Sequence, residues 1–267
     1  MACRDAQQTK RIQERKAEEI RQTEKKPAAE PLRLMFGVDS KEKASTVLQN
    51  NLTQFEWVVR NKLYPNFWGR NINGENCLSQ EEIDFLHGKG CKIAAIVQSS
   101  GIKETEEQGK IEAKKAAIAA LQLNIGEKAA IFLEIDEKEA AAAEFLKGYA
   151  QGLLTEGYTP GFKVNTDANY SFDREYSRGK QSAAEVFEQC VIWALTPSLE
   201  DYERVTTTHR IHPDVWRPYA PSGTKRKDIG VWQYGKNCHP IEDEEGKETV
   251  FNVNLVKKEE IILDKMF

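Results

Sequence analysis

Ala129-Ala130-Ile131-Phe132-Leu133-Glu134-Ile135-Asp136 is an apolar run that ends in two carboxylates spaced two residues apart. Gly126 precedes it and an alanine-rich segment follows, so it reads as a buried parallel strand. Side chains alternate across a strand, which puts Phe132, Glu134 and Asp136 on one face and Ile131, Leu133 and Ile135 on the other. Acids on a buried strand are costly unless paired. The C-terminal ends of parallel strands are also where α/β barrels build active sites. The alternative is that both acids lie just past the strand and open a solvated turn.

Working outward, strand-like and helix-like patterns alternate. Residues 35–40 form a short strand ending in Asp39-Ser40, and residues 45–63 carry a helical apolar stripe closed by Tyr64-Pro65. Residues 66–72 are a second strand. Ser79-Gln80-Glu81-Glu82 is close to a capping box, and it opens a short helix stopped by Gly88 and Gly90. Residues 91–97 are a third strand, and residues 104–123 an alanine-rich helix with acids first and lysines later, as the helix dipole favours. The opening stretch is fourth. Residues 140–156 are a helix ended by Gly157, residues 160–165 a fifth strand, and residues 183–188 a short helix.

Residues 191–195 are then a strand, residues 196–228 are irregular, and residues 229–234 and 250–256 are two more strands. The fold class expected is α/β, an irregular TIM-like parallel barrel with about five strand–helix units followed by three strands. A doubly wound sheet is the rival. Neither G-x-G-x-x-G nor a Walker pattern is present to support it.

The chain of 267 residues carries 40% hydrophobic and 30% charged residues with a net charge of -4, so no overall field favours nucleic acid. No apolar run is long enough for a membrane span, and no signal-peptide core opens the chain. Location is therefore open between the cytoplasm and export by a non-classical route. Residues 1–30 are polar and charged, a helical or disordered extension suited to docking a protein partner, and residues 31–267 form the barrel domain. Five widely spaced cysteines include no C-x-x-C pair, so no disulfide framework, metal or other cofactor is expected. Cys238-His239 is a weak dyad signal, and His209 and His212 are spaced as a ligand pair only if helical, which Pro213 opposes.

In a barrel, strand ends share one mouth. There Asp39, Glu134 and Asp136 are the candidate catalytic residues, and Trp68, Asn165, Trp193, Gln233 and Tyr234 the candidate substrate-binding residues. Asn252 and Asn254 lie on the last strand. Paired carboxylates are what glycoside hydrolysis requires, one protonated and one charged. Same-face neighbours on a strand lie roughly 6.5–7 Å apart, compatible with either a retaining or an inverting outcome. Three carboxylates holding a divalent ion are the chemical rival. The long irregular stretch suits a lid that presents Trp216 and Tyr219 to a glycan, or else a plain surface loop.

Phe36-Gly37-Val38-Asp39-Ser40, Phe67-Trp68-Gly69-Arg70, Ile83-Asp84-Phe85-Leu86, the strand-four run, Gly157-Tyr158-Thr159-Pro160-Gly161 and Val231-Trp232-Gln233-Tyr234 together carry a resemblance. Residues 34–256 resemble the glycoside-hydrolase-like domain, a relative of the family-25 glycoside hydrolases, the muramidase-type lysozymes. The resemblance implies an irregular barrel and a polysaccharide ligand of the peptidoglycan type. It also implies roles for Asp39, Glu134 and Asp136, with Asp136 as proton donor. The family's pair is usually Asp-x-Glu, whereas this chain has the exchanged order Glu134-x-Asp136. An aspartate frequent in the last strand is also absent from Asn252-Val253-Asn254. Hydrolysis of a cell-wall glycan is therefore the leading function expected, with glycan binding without cleavage, or an interaction role in a larger assembly, as the alternatives.

Overall fold

Eight segments whose side chains alternate between two apolar environments close into a barrel in strict sequence order. The computed structural model describes residues 34–48, 51–98, 101, 103–136, 139–199, 216–238, 250–257 and 261–267. The charged extension, His209, His212 and His239 lie outside the described residues.

The order is β1 (Leu34–Ser40), α1 (Gln54–Arg60), β2 (Phe67–Asn71), α2 (Gln80–Gly88), β3 (Lys92–Gln98), α3 (Glu106–Gln122), β4 (Ala130–Ile135), α4 (Ala143–Thr155), β5 (Thr159–Val164), α5 (Ser171–Ser182), α6 (Ala184–Phe187), β6 (Val191–Ala194), β7 (Val231–Cys238) and β8 (Phe251–Lys257). Each pair from β1–β2 to β6–β7 is parallel, and β8 is antiparallel to both β7 and β1. The fold is thus an irregular α/β barrel with helices after the first five strands. This is the irregular barrel of about five strand–helix units followed by three strands expected from the sequence, with β8 running antiparallel within it. An antiparallel return needs no crossover helix, which accounts for the missing helical pattern before it.

Two apolar layers flank the barrel wall. Inside, Phe67, Ala94, Phe132, Trp193, Val231 and Val256 pack together in one cluster with Ile262 and Met266. Trp193 meets Phe132 edge-on at 5.1 Å and Phe67 at 6.0 Å. Room for these rings comes from glycines in the wall: a Cβ on Gly161 would stand 2.5 Å from the Phe132 ring. Outside, Trp68 packs on Phe55 of α1 at 5.8 Å and Phe162 on Phe172 of α5 at 5.9 Å.

Helix boundaries differ from the sequence pattern at two places. The stripe over residues 45–63 becomes a helix only from Gln54, because Thr53 and Glu56 form a capping box and Asn51 turns the chain at a φ of 61°. Val47 and Thr53 instead form an antiparallel bridge ahead of the helix. Helix α5 carries no continuous apolar stripe. Phe172, Tyr176 and Gly179 are its inward face, and a Cβ on Gly179 would stand 2.2 Å from the Phe187 ring.

Arg70 is the keystone of the outer wall beneath the mouth. Its Nε donates to Glu82 at 2.8 Å, Nη1 to the Ser40 and Lys41 carbonyls at 3.0 and 2.6 Å, and Nη2 to the Asn76 carbonyl at 2.9 Å. Glu82 Oε1 also accepts from the Ala44 backbone at 2.8 Å. The segment leaving β1 is thereby pinned to the wall.

Candidate functional site at the barrel mouth

Inward-facing residues at the top of the barrel are polar, in contrast to the aromatic layer beneath. Asp39 on β1, Gln98 on β3, Glu134 on β4 and Lys163 on β5 share this level with Gln233 on β7 and Asn252 and Asn254 on β8. The reversed direction of β8 is what brings its asparagines here, with Asn252 in register with Asp39 and Asn254 with Gly37.

Lys163 is the centre of the group. Its ammonium lies 2.7 Å from Asp39 Oδ1 and 2.9 Å from Glu134 Oε1, and 5.2 Å from the centroid of the Trp193 ring. Asp39 Oδ1 accepts from Asn252 Nδ2 at 2.9 Å, and Oδ2 accepts from Asn254 Nδ2 at 2.8 Å. Asn254 Oδ1 in turn accepts from Trp193 Nε1 at 2.9 Å. Gln98 Nε2 donates to the second oxygen of Glu134 at 3.0 Å. Gln98 is itself held by Asn73 through two bonds of 2.8 and 2.9 Å.

The electrostatics follow from this geometry. The Lys163 charge, acting against the desolvation of Glu134, holds the Glu134 carboxyl below the usual carboxylate range. Burial alone would push Lys163 down, but Asp39 and Glu134 together outweigh it and the net shift is upward. Both partners are therefore charged across the neutral range.

Above the group lies an open cavity of about 780 Å³, within the size range of small-ligand sites. Glu134, Asp136, Asn165, Gln233, Asn252, Thr196, Ser198, Lys41 and Lys236 line it, with Ile135 and Leu195 as apolar members. Asp136 stands one residue past β4, exposed at the rim.

The structure thus collects Asp39, Glu134, Asp136, Asn165, Trp193 and Gln233 around one mouth. Trp193 lies beneath it, fully buried, as the floor under Lys163. Trp68 and Tyr234 are placed elsewhere, and their expected contact with substrate is corrected. Trp68 faces the helical layer and donates from Nε1 to Ser40 Oγ at 3.0 Å. Tyr234 alternates with Gln233 along β7, so its ring lies outside the wall beside Trp232 at 6.1 Å. Trp216 is no lid at the mouth either. It packs edge-on against the outward-facing Trp232 at 6.1 Å. Tyr219 is exposed beside Thr166 and Arg226, and its backbone N–H donates to the carbonyl of Thr196, which lines the mouth, at 2.9 Å.

Lys163 was not singled out from the sequence, although a signal was there. It shares a strand face with Asn165, two residues on, and a lysine on the inward face of a buried strand requires a counter-charge.

No curated protein matches the chain. Among solved structures, an uncharacterised B. stearothermophilus protein aligns with a TM-score of 0.68 at 24% identity, covering 87% of this chain and all of that one. That likeness shows the fold. A muramidase from Acremonium alcalophilum aligns with a TM-score of 0.48 at 12% identity, covering 86% of this chain and 96% of that one. The catalytic domain of endolysin ply40 from bacteriophage P40 of Listeria monocytogenes aligns with a TM-score of 0.44 at 13% identity, covering 89% and 98%. The Rv2525c-like, glycoside hydrolase-like domain matches residues 63–248, well over half of the chain, and the chain belongs to that family.

Proposed function

We propose that the barrel mouth binds an amino-sugar glycan of the peptidoglycan type and holds it without cleaving it. The observation that carries this is the Lys163 ammonium bonded to both Asp39 and Glu134 at 2.7 and 2.9 Å. Glycoside hydrolysis needs one carboxyl kept protonated until it meets the leaving oxygen. Glu134 is held in the opposite state, and Asp39 accepts from three donors at once. Asp136 lies one residue past β4 at the exposed rim, outside the group of carboxylates that Lys163 joins. The amide and hydroxyl groups around the cavity suit the hydroxyls and amides of a sugar chain.

The test is to incubate the protein with purified cell wall over about pH 4–8, the span a carboxylate pair can serve, and measure both retention and released reducing ends. Retention without release is expected. Release that disappears in Glu134→Gln would overturn the proposal.

A second hypothesis is hydrolysis with Asp136 as proton donor and Glu134 as the charged partner. Its support is that Glu134 and Asp136 line the same cavity. It requires turnover that Asp136→Asn abolishes while retention on the wall persists. A protein-docking role for residues 1–30 requires instead a partner whose capture is lost on their deletion, with no retention on glycan.

A further inference from the structure

A second cavity opens beside the mouth. It has a volume of about 580 Å³, and Thr166, Asp167, Tyr219 and Arg226 are among its lining residues. Thr196 stands between the two cavities. It lines the mouth, and it bonds to residues of the second cavity through three contacts. Its Oγ1 meets Thr166 Oγ1 at 2.9 Å and accepts from the Thr166 N–H at 3.2 Å, while its carbonyl accepts from the Tyr219 N–H at 2.9 Å. Asn165 at the mouth and Thr166 in the second cavity are also consecutive in the chain. A long ligand that leaves the mouth past Thr196 has the second cavity next in its path.

Tyr219 is presented there on a fixed loop. The residue is 43% exposed, yet the backbone around it is tied down on several sides. Besides the bond to Thr196, Arg226 Nε donates to the Pro218 carbonyl at 3.1 Å and Lys180 of α5 to the Gly223 carbonyl at 3.0 Å. Asp173 of α5 accepts from the Ser222 N–H and Oγ at 2.6 and 2.8 Å. An aromatic ring on restrained backbone loses little freedom when a ligand covers it. It offers an apolar face with a polar tip, which the C–H face and hydroxyls of a pyranose ring complement. Arg226 Nη1 and Nη2 and Asp167 Oδ2 carry no hydrogen bond among the described residues, so a donor and an acceptor stand ready for hydroxyls, which need both. One cation and one anion also balance, which suits an uncharged sugar. Resting on the glycan-binding proposal above, we infer that this cavity is a further sugar site, where Tyr219 stacks on a ring farther along the strand held at the mouth. The protein thereby holds a polymer more tightly than a short fragment.

The experiment is calorimetric titration of the full chain with the dimer and the hexamer of N-acetylglucosamine, for wild type, Tyr219→Ala and Tyr219→Phe. Tyr219→Ala is expected to weaken hexamer binding by about tenfold, the worth of one stacked ring, and to leave dimer binding unchanged. Tyr219→Phe keeps the ring and most of the hexamer affinity, a rescue that loss of a loop contact would not give. Melting curves confirm that each variant is folded. A loss in Tyr219→Ala as large for the dimer as for the hexamer, or none for either, overturns the second site while leaving glycan binding intact. Failure of wild type to bind either oligomer overturns both.

Discussion

Two buried ion pairs hold the upper end of this barrel, and they are built differently. On the outer side of the wall, Arg70 meets Glu82 and spends its remaining donors on three backbone carbonyls, so the pair is a clamp on the chain leaving β1. On the inner side, Lys163 meets two carboxylates that are oriented by side-chain amides, and one of those carboxylates opens onto the cavity. A planar guanidinium with fixed donors suits the first task, and a compact ammonium between two acids suits the second. The first pair fixes backbone. The second sets the charge state of a site.

Removing each cation separates the two tasks. Arg70→Leu should cost most, about 5 kcal/mol, at the upper end for breaking a buried pair because three carbonyls lose their donor along with Glu82. Urea denaturation measures it. Lys163→Met should cost about 3 kcal/mol at pH 7, since Glu134 still reaches the open mouth.

The pH dependence of that second loss carries its own sign. In the wild type the Glu134 carboxyl is depressed, so its contribution is present above the ordinary glutamate range and fades as pH falls through the lowered value. In Lys163→Met the charge that depresses Glu134 is gone and its desolvation remains, which raises the folded-state value of Glu134. The deficit of the variant should therefore narrow as pH falls from neutrality toward the raised value of Glu134. A deficit that stays constant over this span would count against the coupling of Glu134 to Lys163.

Gly69→Ala disturbs the inner pair without touching its charges. The added Cβ would stand 2.7 Å from Asp39 Cβ and 2.8 Å from the Trp193 ring, displacing one carboxylate and the floor together. A loss of about 2 kcal/mol is expected from thermal melts, in the range for overpacked cores. Asn252→Ala is the mildest change. It removes one of three donors to Asp39 near solvent and should cost about 1 kcal/mol.

Much of the barrel is legible in the sequence because burial and strand alternation leave a period-two record. Phe132 and Glu134 fall on the inner face of β4 and Leu133 on the outer, as the pattern requires. The direction of β8 leaves no such record, since alternation is the same read from either end. Aromatic residues were the weakest guide to the site. Trp68, Trp193 and Tyr234 are all nearly or fully buried, and only parity along each strand, tied to a known inward residue, separates the floor of the mouth from the helical layer. Helix α5 was missed because a twelve-residue helix packed through Phe172, Tyr176 and a glycine shows too few apolar positions to register as a stripe.

The acids were found, and their state was not. Asp39 and Glu134 are 95 residues apart in sequence, and the lysine that joins them is encoded on a third strand. Charge balance at the mouth is a property of the closed barrel, visible only once β1, β4 and β5 are set around one axis.

The central claim is that Glu134 is held as a charged partner of Lys163 and is not available as a proton donor. It is tested most directly by following the Glu134 side-chain carboxyl by carbon-13 NMR as pH is lowered. Titration below the ordinary glutamate value of about 4.3 is expected, moving up in Lys163→Met. A Glu134 carboxyl that titrates above that value in the wild-type protein would contradict it.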